Sequence, residues 1–370
     1  MSDFLPISAA DLMVKKLNPI RFCVEDFLPT GLALLAGEPK LGKSFFALDL
    51  ALHVATGEPF FENNVNASSV LYYALEDQER RLKDRLDGFC EDAPKNLYLP
   101  TSAPTIAQGL TTQISDYVAK DPSIKLVIID TLQKIRDPHH VVDMSYSRDY
   151  AELQILKKLA DSLDICILLI HHTRKGKDEN PFHKILGTQG IMGTADTIFV
   201  LEHDSKHSNQ AILHATGRDI ESFDMKLKRN SETGAWDFVS NSNTAPKDFL
   251  AEPLVALVDH MSKVMTYKGD NTTLCEAINK QLKNPITPRR MKQLMNRNED
   301  RLRMLGLTYE SYPSNGKRYV SVTYEPIQTC APCDTLETIV TCVTNGTDEY
   351  CDTCVSNDTM DTIDMSDIPF

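Results

Sequence analysis

The chain has 370 residues, of which 42% are apolar and 25% charged, with a formal charge of −13. Such a composition is ordinary for a soluble globular protein with room for two or three domains. The longest apolar runs, such as ICILLI, are far too short to cross a bilayer, as is LVII. MSDFLPISAADLM also lacks the basic and apolar regions of a signal peptide, so the expected location is the cytoplasm and no membrane partner is expected. Charge is unevenly spread. Residues 1–245 carry 26 Lys/Arg against 34 Asp/Glu, residues 246–325 carry 13 against 9, and residues 326–370 carry none against 9. A basic module between an acidic body and an acidic tail points to nucleic-acid contact more strongly than the overall charge does.

Taken in chain order, GLALLAG (31–37), SVLYYAL (69–75), KLVIID (125–130) and CILLIHH (166–172) read as buried strands. The amphipathic stretches between them predict βαβ units and an α/β core with a mostly parallel sheet. TIFVLE and QAILHATG follow and read as added antiparallel strands, as do MKLKRN and AWDFV around the Glu-Thr-Gly turn at 232–234. NSNTAPKD (241–248) is polar and reads as a linker. Beyond it come three helical patterns, AEPLVALVDHMSKV, TTLCEAINKQL and TPRRMKQLMNRNEDRLRMLG, and a hairpin, LTYESYPSNGKRYVSVTYE. Three helices and a hairpin is the winged-helix order. From 326 onward the chain is rich in Thr, Asp and Cys and is expected to be disordered. The organisation expected is therefore an N-terminal segment (1–30), an α/β core (31–240), a linker (241–252), a winged-helix DNA-binding domain (253–325) and an acidic tail (326–370).

GEPKLGKS matches Gly-x4-Gly-Lys-Ser between a strand and a helical run, the context that motif requires. Gly37, Glu38, Pro39, Lys40, Leu41, Gly42, Lys43 and Ser44 would wrap the phosphates of ATP. Loop and helix N–H groups would cradle the oxygens, Lys43 would reach the β- and γ-phosphates, and the Ser44 hydroxyl would bind Mg²⁺. In LVIIDT, four apolar residues deliver Asp130 to the carboxyl edge of the sheet, where it would also hold Mg²⁺, directly or through water. No Glu follows Asp130 directly. The candidate for orienting the attacking water is Glu76, at the end of the second strand.

A base on the strand beside that of Asp130 resembles the RecA-fold family, especially hexameric RepA-type replicative helicases. The resemblance spans about residues 5–240 and rests on GEPKLGKS, LYYALED, LVIIDTL, ILLIHHTRKG, LGTQGIMGTADTIFVL and LHATGRDIE, in that order. It implies a RecA-like P-loop core and a homo-oligomeric, hexameric ring that hydrolyses ATP at subunit interfaces and moves on single-stranded or forked DNA. By the same resemblance Glu76 polarises water, with Asp77 as the backup, and His171 or His172 senses the γ-phosphate. Arg218 would be the arginine finger reaching a neighbouring subunit's nucleotide, with Lys228 and Arg229 as rivals. The loop TRKGKDENPFHKILGTQG (173–190) would line the pore and grip DNA through Lys175, Lys177 and Lys184, with Arg174 a weaker candidate. RDPHHVVDMSYSRDYAELQ (136–154) is a second pore-loop candidate.

Within 280–318 there are ten Lys/Arg and three Asp/Glu. Arg289, Arg290, Lys292 and Arg297 fall on one helix and Lys317 and Arg318 on the hairpin, as a winged-helix reader of DNA would place them. A basic face on a protein-docking module would look the same. In the tail, Cys330-x2-Cys333 and Cys351-x2-Cys354 have zinc-ribbon spacing, although a linker with reduced thiols is the alternative. The four body cysteines fit reduced core thiols. Asp367-Ile368-Pro369-Phe370 closes the chain after an acidic run, and it resembles the C-terminal tip of bacterial single-stranded-DNA-binding protein, SSB. That resemblance implies recruitment of proteins that dock on SSB. An intramolecular role, the acidic tail covering the basic 280–318 surface, is the rival. Two other classes of function stay open: a DNA-binding regulatory or loader-type ATPase that separates no duplex, and a nucleotide-gated adaptor in which the tail does the work.

Overall fold

In the computed structural model, residues 7–17, 19–136, 146–174, 176, 178–187, 189–204, 209–314 and 317–326 are described. The chain opens with a short exposed helix, α1 (Ala9–Val14), and a two-stranded ribbon, β1 (Phe22–Val24) and β2 (Leu28–Pro29). The main sheet and its helices follow as β3 (Gly31–Gly37), α2 (Lys43–Thr56), β4 (Ser69–Ala74), α3 (Glu79–Phe89), β5 (Leu97–Tyr98), α4 (Leu110–Lys120), β6 (Ile124–Asp130), α5 (Tyr146–Leu163) and β7 (Cys166–His172). A short helix, α6 (Gln189–Thr194), precedes β8 (Thr197–His203), β9 (Gln210–Gly217), β10 (Phe223–Arg229) and β11 (Trp236–Asn241).

The nine strands are ordered β11-β10-β9-β8-β3-β7-β6-β4-β5. The six from β8 to β5 run parallel, and β9, β10 and β11 add antiparallel on the β8 side. One expectation is corrected here. TIFVLE is not an antiparallel addition but the last parallel strand, pairing Ala33 with Thr197 and Gly37 with Leu201. The stretch between β7 and β8 holds a helix, α6, and so makes the crossover a parallel strand needs. Side chains alternate across the sheet. Tyr72 enters a cluster with Phe46, Phe60, Phe199, Leu213 and Trp236. Tyr73 enters the opposite one with Leu34, Ile129, Leu153, Ile167 and Val200. The ribbon before Gly31 belongs to the first cluster, with Phe27 stacked on Phe199 at 4.8 Å between ring centroids. Each fully buried side chain of this size contributes roughly 1.5–3 kcal/mol, so the two clusters hold the carboxyl ends of the strands as a rigid rim.

After a 3-10 turn at Pro246–Phe249 come α7 (Glu252–Val264), β12 (Thr266–Asp270), α8 (Asn271–Asn279), α9 (Pro288–Arg297), α10 (Glu299–Arg303), β13 (Leu307–Ser314) and β14 (Lys317–Tyr324). The third helical pattern is thus two helices rather than one. Asn298 breaks it: its backbone leaves the helical region (φ −121°, ψ 25°) and its side chain donates to Leu294 O at 2.9 Å. β12, absent from the reading of the sequence, joins the hairpin in the order β12-β14-β13. Thr287 caps α9 by accepting from Arg290 N, with Pro288 in the first turn. Leu254, Leu257, Met261, Ile278, Met291, Met295 and Val322 form a separate core. This module and the sheet lie in one unit, residues 1–324. Arg301 of α10 pairs with Asp224 of β10, which also meets His214 Nδ1 at 2.6 Å. Arg301 and Lys226 lie over the Phe249 ring at 5.9 and 5.0 Å. No helix among the described residues is long and apolar enough to cross a membrane.

Candidate functional site

The parallel strands β3, β7, β6 and β4 stand side by side and end on one rim, and each delivers one part of the site there. β3 runs into the loop 37–44. Gly37 is required because a Cβ there would meet Leu201 O at 2.8 Å and Lys43 Cδ at 3.3 Å. Gly42, at φ +103°, turns the loop into α2 in a conformation that favours glycine. Lys43 is only 5% exposed. Its Nζ donates to Gly37 O and Glu38 O, both at 2.9 Å, and approaches His172 Nδ1 at 3.4 Å. Burial lowers its pKa, while the charges of Asp130, Glu76 and Glu38 oppose that shift.

Asp130 ends β6 and is buried. It accepts from Tyr72 Oη at 3.1 Å, and Ser44 hydrogen-bonds to it as well. Burial pushes the carboxyl upward, the hydrogen bonds from Ser44 and Tyr72 oppose this, and Glu76 and Asp77 push it further up. A hydroxyl and a carboxylate side by side form an oxygen donor set that suits Mg²⁺. Glu76, just past β4, is exposed toward the recess and accepts from Thr131 Oγ1 at 3.2 Å. Asp77 faces elsewhere and pairs with Arg85 of α3. A recess of about 170 Å³ brings together Lys43, Ser44, Glu76, Asp130 and His172.

β7 ends in two histidines that alternate across the sheet. His172 faces the recess beside Lys43, and burial followed by the Lys43 charge lowers its pKa. His171 faces away, is 2% exposed and contacts Leu186 O through Nε2 at 2.8 Å, and burial lowers its pKa to about 4. A lysine ammonium only donates, so Nδ1 of His172 is the acceptor and the neutral ring carries its proton on Nε2.

Other predicted residues lie outside this group. Arg218 follows β9, has a 61% exposed side chain and pairs with Asp196 at 3.2 Å. Lys184 pairs with Glu202 at 3.0 Å and Arg174 with Asp178 at 3.5 Å. Arg289 and Arg290 are exposed on α9, Lys292 is half-buried on the same helix, and Arg297 pairs with Glu179 at 2.6 Å. Lys317 and Arg318 lie in β14, but their side chains are outside the described residues. Also outside are Lys175, Lys177, residues 137–145 of the second loop, Cys330, Cys333, Cys351 and Cys354 of the tail, and Asp367–Phe370. Among the described residues no group of His, Cys, Asp and Glu could hold a metal ion by itself.

Four residues at the loop were missed or given another place by sequence reasoning: Phe45, Arg85, Arg229 and Trp236. Two guanidiniums lie against the Phe45 ring, Arg85 at 4.7 Å and Arg229 at 4.4 Å from its centroid. Trp236 donates from Nε1 to Gly42 O at 3.4 Å. The Phe after Ser44 was visible in the motif; the other three come from α3 and the β10–β11 hairpin, which no local pattern connects to it.

Residues 2–178 match the model of a family described as an AAA domain. No curated protein matches the chain. Among solved structures it is similar to one described as an ATPase domain, at 18% identity and TM-score 0.47, over 57% of this chain and 85% of that one. It is equally similar, at 18% identity and TM-score 0.47, to a DnaB-like replicative helicase described with its interactions with primase, and there the match spans 57% of each chain.

Proposed function

We propose that the chain is a Mg²⁺-dependent ATPase with a RecA-like core that works as a ring-forming, helicase-like motor in DNA replication. The observation that carries this reading is the convergence of Lys43, Ser44, Asp130, Glu76 and His172 in one recess at the carboxyl rim of a parallel sheet. Lys43 would exchange a protein acceptor for a phosphate oxygen and neutralise charge on the β- and γ-phosphates. Ser44 and Asp130 would hold Mg²⁺, which would offset the charge of the phosphates. Glu76 orients water for attack on the γ-phosphorus and draws its proton as the bond to the β–γ bridging oxygen breaks. His172 donates from Nε2 toward the γ-phosphate, and its contact with Lys43 makes both respond to the loss of that group.

The DNA-facing parts of the proposal are the loop after β7 and the C-terminal module. The order helix–strand–helix–helix–helix–hairpin supports a winged helix, with the exposed Arg289 and Arg290 placed to face phosphates. The tip Asp367-Ile368-Pro369-Phe370 would give proteins that dock on SSB an apolar plug and a carboxylate.

The test is unwinding of a labelled forked duplex with ATP and Mg²⁺, hydrolysis being followed in parallel. Strand separation that disappears in Lys43→Ala supports the motor. Hydrolysis stimulated by single strands without separation replaces it with a DNA-responsive loader or regulatory ATPase.

A further inference from the structure

The β10–β11 hairpin does not project away from the chain's own phosphate loop but is fastened to it. Arg229 and Trp236 face each other across the hairpin, the last pair of the ladder before its turn. Trp236 is buried and its indole N–H donates to Gly42 O. Arg229 lies at 4.4 Å from the Phe45 ring centroid and 5.1 Å from that of Trp236. Its guanidinium covers Gly42 so closely that any Cβ at that position would collide with Nη1. The glycine therefore serves the guanidinium as well as the turn.

The charge on Arg229 is unanswered. Arg85, which also lies against the Phe45 ring, is paired with Asp77. Lys43 spends its donors on two carbonyls and His172. Arg229 has no carboxylate partner among the described residues, and its Nη1 is buried with no hydrogen-bond acceptor. Leaving a buried charged donor unmade costs more than a neutral one, and a second guanidinium against the same aromatic ring adds repulsion. An aromatic clamp holding a cation in that state is preorganised for an anion. Its position says which anion. Arg229 borders both the 170 Å³ recess and an adjoining cavity of about 730 Å³ that runs outward past Lys40, Asn209 and Asp237. Glu76, Asp130 and His172 line only the inner one. A nucleotide with its terminal phosphate at those three residues would pass its inner phosphates by Arg229.

We propose that Arg229 is a phosphate-binding residue acting in cis, on the α- or β-phosphate of a nucleoside polyphosphate held by this chain's own loop. The inference rests on the nucleotide-site reading above and departs from a finger that reaches a neighbouring subunit. The hairpin then closes over the bound nucleotide, and Trp236 positions the arginine without touching the ligand.

The test uses the full chain at a concentration where it sediments as a monomer, titrated with ADP and followed by a fluorescent ADP analogue. Arg229→Met keeps an apolar stem against Phe45 and Trp236 while removing the charge. It should bind ADP roughly 10- to 100-fold more weakly, the loss expected for one or two charge-assisted hydrogen bonds. Arg229→Lys should fall between the two. Without ligand, Arg229→Met should melt no lower than the unsubstituted chain, which separates lost binding from lost folding. Unchanged ADP affinity in Arg229→Met overturns the proposal, and more so if hydrolysis by the assembled protein then falls, since that pattern belongs to a residue acting in trans. An unsubstituted chain that binds no ADP overturns the nucleotide-site reading itself, an outcome read without any Arg229 variant.

Discussion

Nζ of Lys43 and Nδ1 of His172 lie 3.4 Å apart, the lysine carried by the loop after β3 and the histidine by the end of the adjacent strand β7. The contact fixes which of two neighbouring histidines can take part in chemistry. His172→Ala should retain nucleotide binding within a few-fold and lose hydrolysis by about 10- to 100-fold, the range of one lost donor. His171→Gln should leave hydrolysis within a few-fold. Steady-state rates and ADP affinities on both variants check the split.

Asp130 costs the free protein stability in the place it occupies. Its carboxyl is buried and pushed upward, so the folded chain without ligand takes up a proton more readily than the unfolded chain. Between the ordinary carboxylate pKa and the raised one, the folded state carries the extra proton, so this contribution to stability fades as pH rises. At neutral pH, Asp130→Asn should therefore raise the melting temperature of the free protein by about 2–5 °C. Hydrolysis should fall by at least about 100-fold, because the oxygen donor proposed for Mg²⁺ has lost its charge. Thermal melts and phosphate release, run side by side, test both halves.

His171 produces the opposite pH dependence. Its pKa is lowered from 6.5 to about 4 by burial, so between those values the unfolded chain carries the extra proton. Stability should fall as pH drops through that window, by up to about 1.4 kcal/mol per pH unit from this group. Urea melts from pH 7 to 4.5 should show a shallower loss in His171→Gln than in the unsubstituted chain.

Burial pushes the Asp224 carboxyl up, but His214 and Arg301 prevail and hold it below the usual range. Removing one partner of such a cluster leaves a half-buried charge unmet. Arg301→Ala should cost about 1–3 kcal/mol and loosen the C-terminal module from β10. Limited proteolysis should then cut faster between β11 and α7, while ADP affinity stays the same.

How much was legible beforehand can be judged from single residues. The loop 37–44 and the ends of its strand were readable because the motif, the buried strand and the helix start are contiguous. Asp130 was readable because four apolar residues before it fix a strand end. TIFVLE was misread because a strand's partners are chosen by how the chain returns to the sheet, and six residues do not encode that path. The break at Asn298 was hidden because Asn is tolerated within helical patterns, and only packing against the sheet decides that α10 turns toward Asp224.

By itself the sequence determined the nucleotide loop, the strands that carry Lys43, Asp130 and the His171–His172 pair, and the basic character of the module that follows. These are local properties, set by side-chain period and by glycines that only certain turns need. Tertiary structure alone decided that His172 rather than His171 meets Lys43, because sheet alternation gives that choice only once the strand order is known. It also decided that Arg229 lies against the chain's own loop while Arg218 remains at the surface with Asp196. Phe45, Trp236 and Arg229 are nearly two hundred positions apart at the extremes. Only the closure of the sheet edge over α2 turns them into one contact, because desolvation and charge depend on what surrounds a group in space.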